Sequence, residues 1–117
     1  MKKYLIYGMG RSGTSTLASC LSSGELHKTC VQEPYVLSSG SYNDFDILSE
    51  FKDKFCQETL KNNKSIKFQS AEKVYKSLDF LYSNFLGIKH VYSSCDIFFN
   101  FHLISYCVKN DINIIHQ

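Results

Sequence analysis

The stretch YLIYGMGRSGTSTLASCL (residues 4–21) constrains the fold more than any other part of the chain. An apolar, aromatic-rich run over residues 3–7 (KYLIY) ends on Gly8. From Thr14 the hydrophobic period changes, and Leu17, Cys20 and Leu21 recur at helical spacing until Gly24, a C-terminal stop signal. Between run and helix lies Gly8-Met9-Gly10-Arg11-Ser12-Gly13. A strand without polar alternation is buried on both faces, the habit of parallel sheets. A helix opening straight out of such a strand leaves its first N–H groups unpaired at the positive end of the dipole. Small residues there let an anion approach the backbone. Three glycines, Arg11 and the hydroxyls of Ser12, Thr14, Ser15 and Thr16 therefore predict a phosphate or sulfate site rather than a merely tight turn.

The rest of the chain alternates strand and helix signals. Residues 29–32 read as a strand ending at Glu33-Pro34, because proline biases its neighbour away from helix. SSGSYN (38–43) reads as a loop. A helix is predicted over 44–60, with Ile47, Leu48, Phe51 and Phe55 on one face, and another over 71–86, with Gly87 as its C-terminal cap. IKHVY (88–92) reads as a strand, Asp96 as the cap of a helix carrying Ile97, Phe98, Phe101, Ile104 and Val108, and INII (112–115) as a strand buried on both faces. Residues 65–68 are ambiguous. The pattern predicts an α/β fold: a mainly parallel sheet with flanking helices and a P-loop-like strand–loop–helix at the N-terminus. With no helix after residue 115 to cover the last strand, the expectation is a single, incomplete domain over 1–117.

Composition narrows the class. Of 117 residues, 44% are hydrophobic and 21% charged, which excludes a disordered tail or a fibre. The net charge of +2 comes without any Lys/Arg block, so no nucleic-acid footprint is expected. No apolar stretch approaches the ~20 residues that span a bilayer, and the run after Lys2-Lys3 is too short for a signal peptide. Cys20, Cys30, Cys56, Cys95 and Cys107 show no CxxC spacing and read as reduced, mostly buried thiols of a cytoplasmic protein.

Three templates compete for the glycine loop. Gly8, Gly10 and Gly13 fit the dinucleotide fingerprint GxGxxG, with Glu33 twenty residues on where a ribose-binding acid is expected. Gly8 and Gly13 also fit the start of GxxxxGK(S/T), but position 14 is Thr, and IKHVY ends in Ser93-Ser94 rather than an Asp. A magnesium-dependent kinase or ATPase is disfavoured. The third template keeps the cradle and needs no metal. RSGTS (11–15) matches the loop (R/K)-(S/T)-G-(S/T)-(S/T) at every position, Leu17 and Leu21 follow in the helix, and Glu33-Pro34 closes the second strand. At these residues the chain resembles the P-loop-related sulfotransferases that use 3′-phosphoadenosine 5′-phosphosulfate. The later GIKHVY, helix and apolar strand also resemble that family's element order.

The resemblance implies transfer of a sulfuryl group to a hydroxyl or amine acceptor, a carbohydrate or small metabolite, with no metal. It implies that Gly10, Arg11, Ser12, Gly13, Thr14, Ser15 and Thr16 hold the donor's 5′-phosphosulfate. Arg11 would neutralise charge on the bridging oxygen, and Glu33 would act as general base. The family's 3′-phosphate ligands follow the strand corresponding to 112–116, beyond Gln117. A Rossmann-type nucleotide binder and a non-catalytic remnant with only the anion loop remain the alternatives. The bland reading is preferred elsewhere: His27, His90, His102 and His116 as packing or surface residues, Lys89 as a solvated or snorkelling side chain, and Phe98, Phe99 and Phe101 as core.

Overall fold

The apolar run at the N-terminus forms the strand on which the main sheet is built. The computed structural model describes residues 2–9, 13–23, 25–37, 39–56, 58–59 and 65–117. Strand β1 (Tyr4–Gly8) pairs in parallel with β5 (Gly87–Val91) on one side and β6 (Asn113–His116) on the other, and β2 (Cys30–Gln32) pairs in parallel with β5. The order across the sheet is β2-β5-β1-β6, so the fold is α/β with an all-parallel four-stranded main sheet. In the dinucleotide fold the first strand lies beside the second. Here β5 separates them.

Helices cover both faces. Helix α1 (Thr14–Leu21) packs Ala18, Leu17 and Leu21 against Ile6 and Cys30. The opposite face buries Leu5, Val31 and Ile88 under α3 (Ile47–Phe55), α4 (Ala71–Asn84) and α5 (Ile97–Lys109). Two of these helices start as the sequence predicts. The Ser70 hydroxyl accepts from Lys73 N–H at 3.2 Å and the Asp96 carboxylate from Phe99 N–H at 2.9 Å. A short antiparallel pair joins β3 (Glu58–Thr59), at the end of the stretch predicted as helix, to β4 (Ile66–Lys67), in the ambiguous region.

Four expectations need correction. Residues 44–60 are not one helix: α2 (Gly40–Asp44) forms inside the predicted loop, and α3 starts only at Ile47. The break falls at Phe45, extended at φ −134°, whose ring packs edge-on against buried Phe85 at 5.6 Å. Burying that ring overrides local helix propensity. Gly87 is not a helix cap but a strand residue, because a Cβ there would lie 2.4 Å from the Tyr4 carbonyl oxygen. The glycine is what allows β5 to approach β1. Strand β6 is an edge strand whose exposure alternates, with Ile114 39% exposed. Among the neighbouring aromatics only Phe99 is core; Phe101 is 65% exposed. The predicted stop at Gly24 lies outside the described residues, and α1 ends at Leu21.

Candidate anion site at the carboxyl edge of the sheet

The glycine loop leaves β1 at the carboxyl edge of the sheet, where ligands bind in open parallel α/β folds. Gly13 ends the loop in the left-handed region (φ 85°), a conformation that only glycine adopts without strain. Its carbonyl accepts from Leu17 N–H at 3.1 Å, starting α1 at Thr14. The first turn of α1 contains no acidic residue, so nothing on the helix itself neutralises the positive end of its dipole. Thr16 is exposed on α1. Gly10, Arg11 and Ser12 lie outside the described residues, as do the side chains of Thr14 and Ser15.

Glu33 reaches the same edge from β2. Its N–H donates to the Lys89 carbonyl at 2.9 Å, extending the ladder by one residue beyond the strand. Its backbone then turns to φ 46°, a region uncommon for a residue with a side chain and costing about 1–3 kcal/mol. The carboxylate is held twice. Oε2 lies 3.4 Å from Lys89 Nζ, and Oε1 accepts from Val91 N–H at 3.3 Å. Both side chains are largely shielded, Lys89 at 8% and Glu33 at 17% exposure. Val91 is in register with Gly8, so the loop's first residue and the Glu33 carboxylate meet at the end of β5. Lys89 is therefore a partner of Glu33 rather than a solvated side chain.

His90, one residue on, points to the opposite face and is fully buried. Its Nδ1 meets the Tyr35 hydroxyl and its Nε2 meets Asn100 Oδ1. The neighbours of Asn100 fix the tautomer. Asn100 Nδ2 donates to the carbonyls of Tyr92 at 2.9 Å and Cys95 at 3.3 Å, so Oδ1 must accept from His90 Nε2–H. Nδ1 is then the acceptor for Tyr35. Burial lowers the imidazole pKa to about 4, partly opposed by the Asn100 hydrogen bond. At neutral pH His90 is an uncharged clamp joining the turn after β2, strand β5 and helix α5. Above it a cleft of about 590 Å³ opens between Tyr7, Tyr92 and α5 residues Ile97, Phe101 and Ile104.

The five thiols are free. Burial pushes Cys30 and Cys107 up to about 11 and Cys56 up to about 12, which keeps them protonated and unreactive. Among the described residues no helix is long and apolar enough to cross a membrane. In comparisons with known proteins, no family model, no curated protein and no solved structure matches the chain.

The structure thus brings Gly8, Gly13, α1 and Glu33 to one edge. It adds Lys89, Tyr35 and Asn100, which sequence reasoning did not select. Lys89 had a usable signal, since it lies inside a predicted strand that parallel pairing brings beside the strand ending at Glu33. Asn100 had none, because its role depends on how α5 returns over β5.

Proposed function

We propose that the chain is the nucleotide-binding part of a sulfotransferase. It moves a sulfuryl group from 3′-phosphoadenosine 5′-phosphosulfate to a hydroxyl acceptor, a carbohydrate or small metabolite, in the cytoplasm and without a metal. One observation carries this reading: the entry to the glycine loop and the Glu33 carboxylate converge on Val91 at the carboxyl edge of the sheet. The residues present suit the donor. Gly13 offers backbone with no side chain in the way, and α1 has no acid in its first turn. Arg11 supplies a planar fork of donors suited to a phosphosulfate.

In the proposed reaction the acceptor oxygen forms a bond to sulfur as the bond from sulfur to the bridging oxygen breaks. Glu33 accepts the acceptor's proton, and Lys89 holds the carboxylate in place. Arg11 balances the charge left on the bridging oxygen, an interaction worth about 10²-fold or more in rate. The strand order favours this reading over a dinucleotide domain, whose first two strands are adjacent.

Thermal protection by adenosine 3′,5′-bisphosphate in the presence of a chelator tests it. The expected result is protection that is lost in Arg11→Ala and retained in Glu33→Gln, with Glu33→Gln lacking transfer. Protection by NAD or NADP instead, abolished by Glu33→Ala, would favour the dinucleotide reading. Protection by neither would leave only the remnant.

A further inference from the structure

The turn that follows β2 grips strand β5 at three consecutive residues. The Glu33 carboxylate holds Lys89 Nζ at 3.4 Å and Val91 N–H at 3.3 Å. The Tyr35 hydroxyl donates to Nδ1 of His90, the residue between them. Successive residues of a strand point to opposite faces, so Lys89 and His90 are taken from the two sides of the sheet. Pro34 alone separates Glu33 from Tyr35. Its ring fixes φ, which makes the link between the two anchors short and stiff.

The anchors are not equally firm. Both contacts of the Glu33 carboxylate are longer than a charge-assisted hydrogen bond usually runs. Its backbone sits at φ 46°, a conformation that persists only where the surroundings over-determine it. A bond from Val36 N–H to the Glu33 carbonyl at 2.9 Å closes the turn on itself, which sets its shape but not its place on β5. Tyr35 is held in more ways. It is fully buried, its ring centroid lies 4.4 Å from that of Phe99, and its carbonyl accepts from Ile66 N–H at 2.9 Å. His90 is fixed in turn by Asn100, whose amide is tied to the Tyr92 and Cys95 carbonyls.

From this asymmetry we infer that Tyr35 is a positioning residue for Glu33: by holding His90 it keeps the turn seated on β5 and the Glu33 carboxylate at the carboxyl edge of the sheet. A proton acceptor must stand within hydrogen-bond reach of its substrate, and a displacement of about 1 Å can cost about 10²-fold in rate. That consequence rests on the sulfotransferase reading, whereas the seating of the turn does not. The hydroxyl is the decisive group, since a phenyl ring fills the same space but gives His90 Nδ1 no donor.

Hydrogen exchange at the Val91 amide tests it, because that buried N–H is bonded to Glu33 Oε1 and so reports where the carboxylate stands. Glu33→Ala removes the acceptor and sets the scale. Tyr35→Phe, with Glu33 untouched, should speed Val91 exchange by about tenfold or more relative to Ile88 in the same strand. His90→Leu removes the same bond from the other side and should do likewise, which serves where one variant folds poorly. Leu78→Ala opens a cavity on α4 and lowers stability by another route, so it should leave the ratio of Val91 to Ile88 unchanged. A ratio unmoved in both Tyr35→Phe and His90→Leu overturns the inference, as does a ratio moved equally far by Leu78→Ala. Neither result depends on a nucleotide, so the inference and the sulfotransferase reading fail separately.

Discussion

The two edges of the main sheet are made of similar residues and finished in opposite ways. At the β2 edge the Cys30 N–H is satisfied by the Ser22 hydroxyl at 2.9 Å, and that hydroxyl donates to the Ala18 carbonyl at 2.7 Å. The Ser39 hydroxyl closes the Gln32 carbonyl on the same outer side. At the β6 edge the outward groups of Ile114 and His116 receive nothing comparable from the described residues. Neither CVQ nor NIIH contains the difference. It comes from serines that the chain places beside β2 from the end of α1 and the turn before α2. An edge is closed by what the topology returns to it, so strand composition alone does not reveal which edge stays open.

If the β2 side is finished and the β6 side is not, the first should tolerate change poorly. The largest effect is expected at Gly87, which joins β2 and β5 to β1. A methyl group there would sit 2.4 Å from the Tyr4 oxygen and 3.1 Å from Cys30 Sγ. Main chain cannot yield as a side-chain tip does, so Gly87→Ala should cost about 3 kcal/mol or more in urea unfolding. A loss below about 1 kcal/mol would show that β1 and β5 can separate cheaply, and the rigidity assigned to this half would be wrong.

The next effect is one of pH. His90 is neutral and clamped in the folded chain, with its pKa lowered from 6.5 to about 4, chiefly by burial. In the unfolded chain it binds a proton below about 6.5. The unfolded state thus holds more protons between these values, and stability falls as pH drops through that window. Full stability is present above about 6.5, and the loss at the acid end approaches about 3 kcal/mol. Unfolding measured across the window should show this slope in wild type and a flatter one in His90→Gln. Identical slopes would remove His90 from the account.

Much of this was legible in residues 4–21, because a period change at a glycine loop reports strand, loop and helix together. The caps Ser70 and Asp96 start α4 and α5, and Asp96 was readable as one from sequence. What was not legible depends on contacts between distant residues. Phe45 breaks a helix because Phe85 offers it a buried face. Gly87 looks like a cap from its place after a helix, whereas the carbonyl that requires it belongs to Tyr4. Glu33 was selected for its strand end, but its positive φ and its bond to Lys89 follow from the pairing of β2 with β5. The apolar run 112–115 signals a strand correctly and its surroundings incorrectly, since a run buried on both faces and a run at a sheet edge can have the same composition.

The smallest effects separate the two edges most clearly. Ser22→Ala leaves the Cys30 N–H, on a residue only 3% exposed, without its acceptor, which should cost about 1–3 kcal/mol. That deficit belongs to a single chain, so it should be the same at every protein concentration. Ile114→Lys removes no contact within the chain that its exposed position cannot spare, and in dilute solution it should shift stability by no more than about 0.5 kcal/mol. Melting curves of both variants at one protein concentration therefore compare the two edges directly. If Ile114→Lys costs as much as Ser22→Ala, the β6 edge is held as closely as the β2 edge, and the contrast drawn between them is wrong.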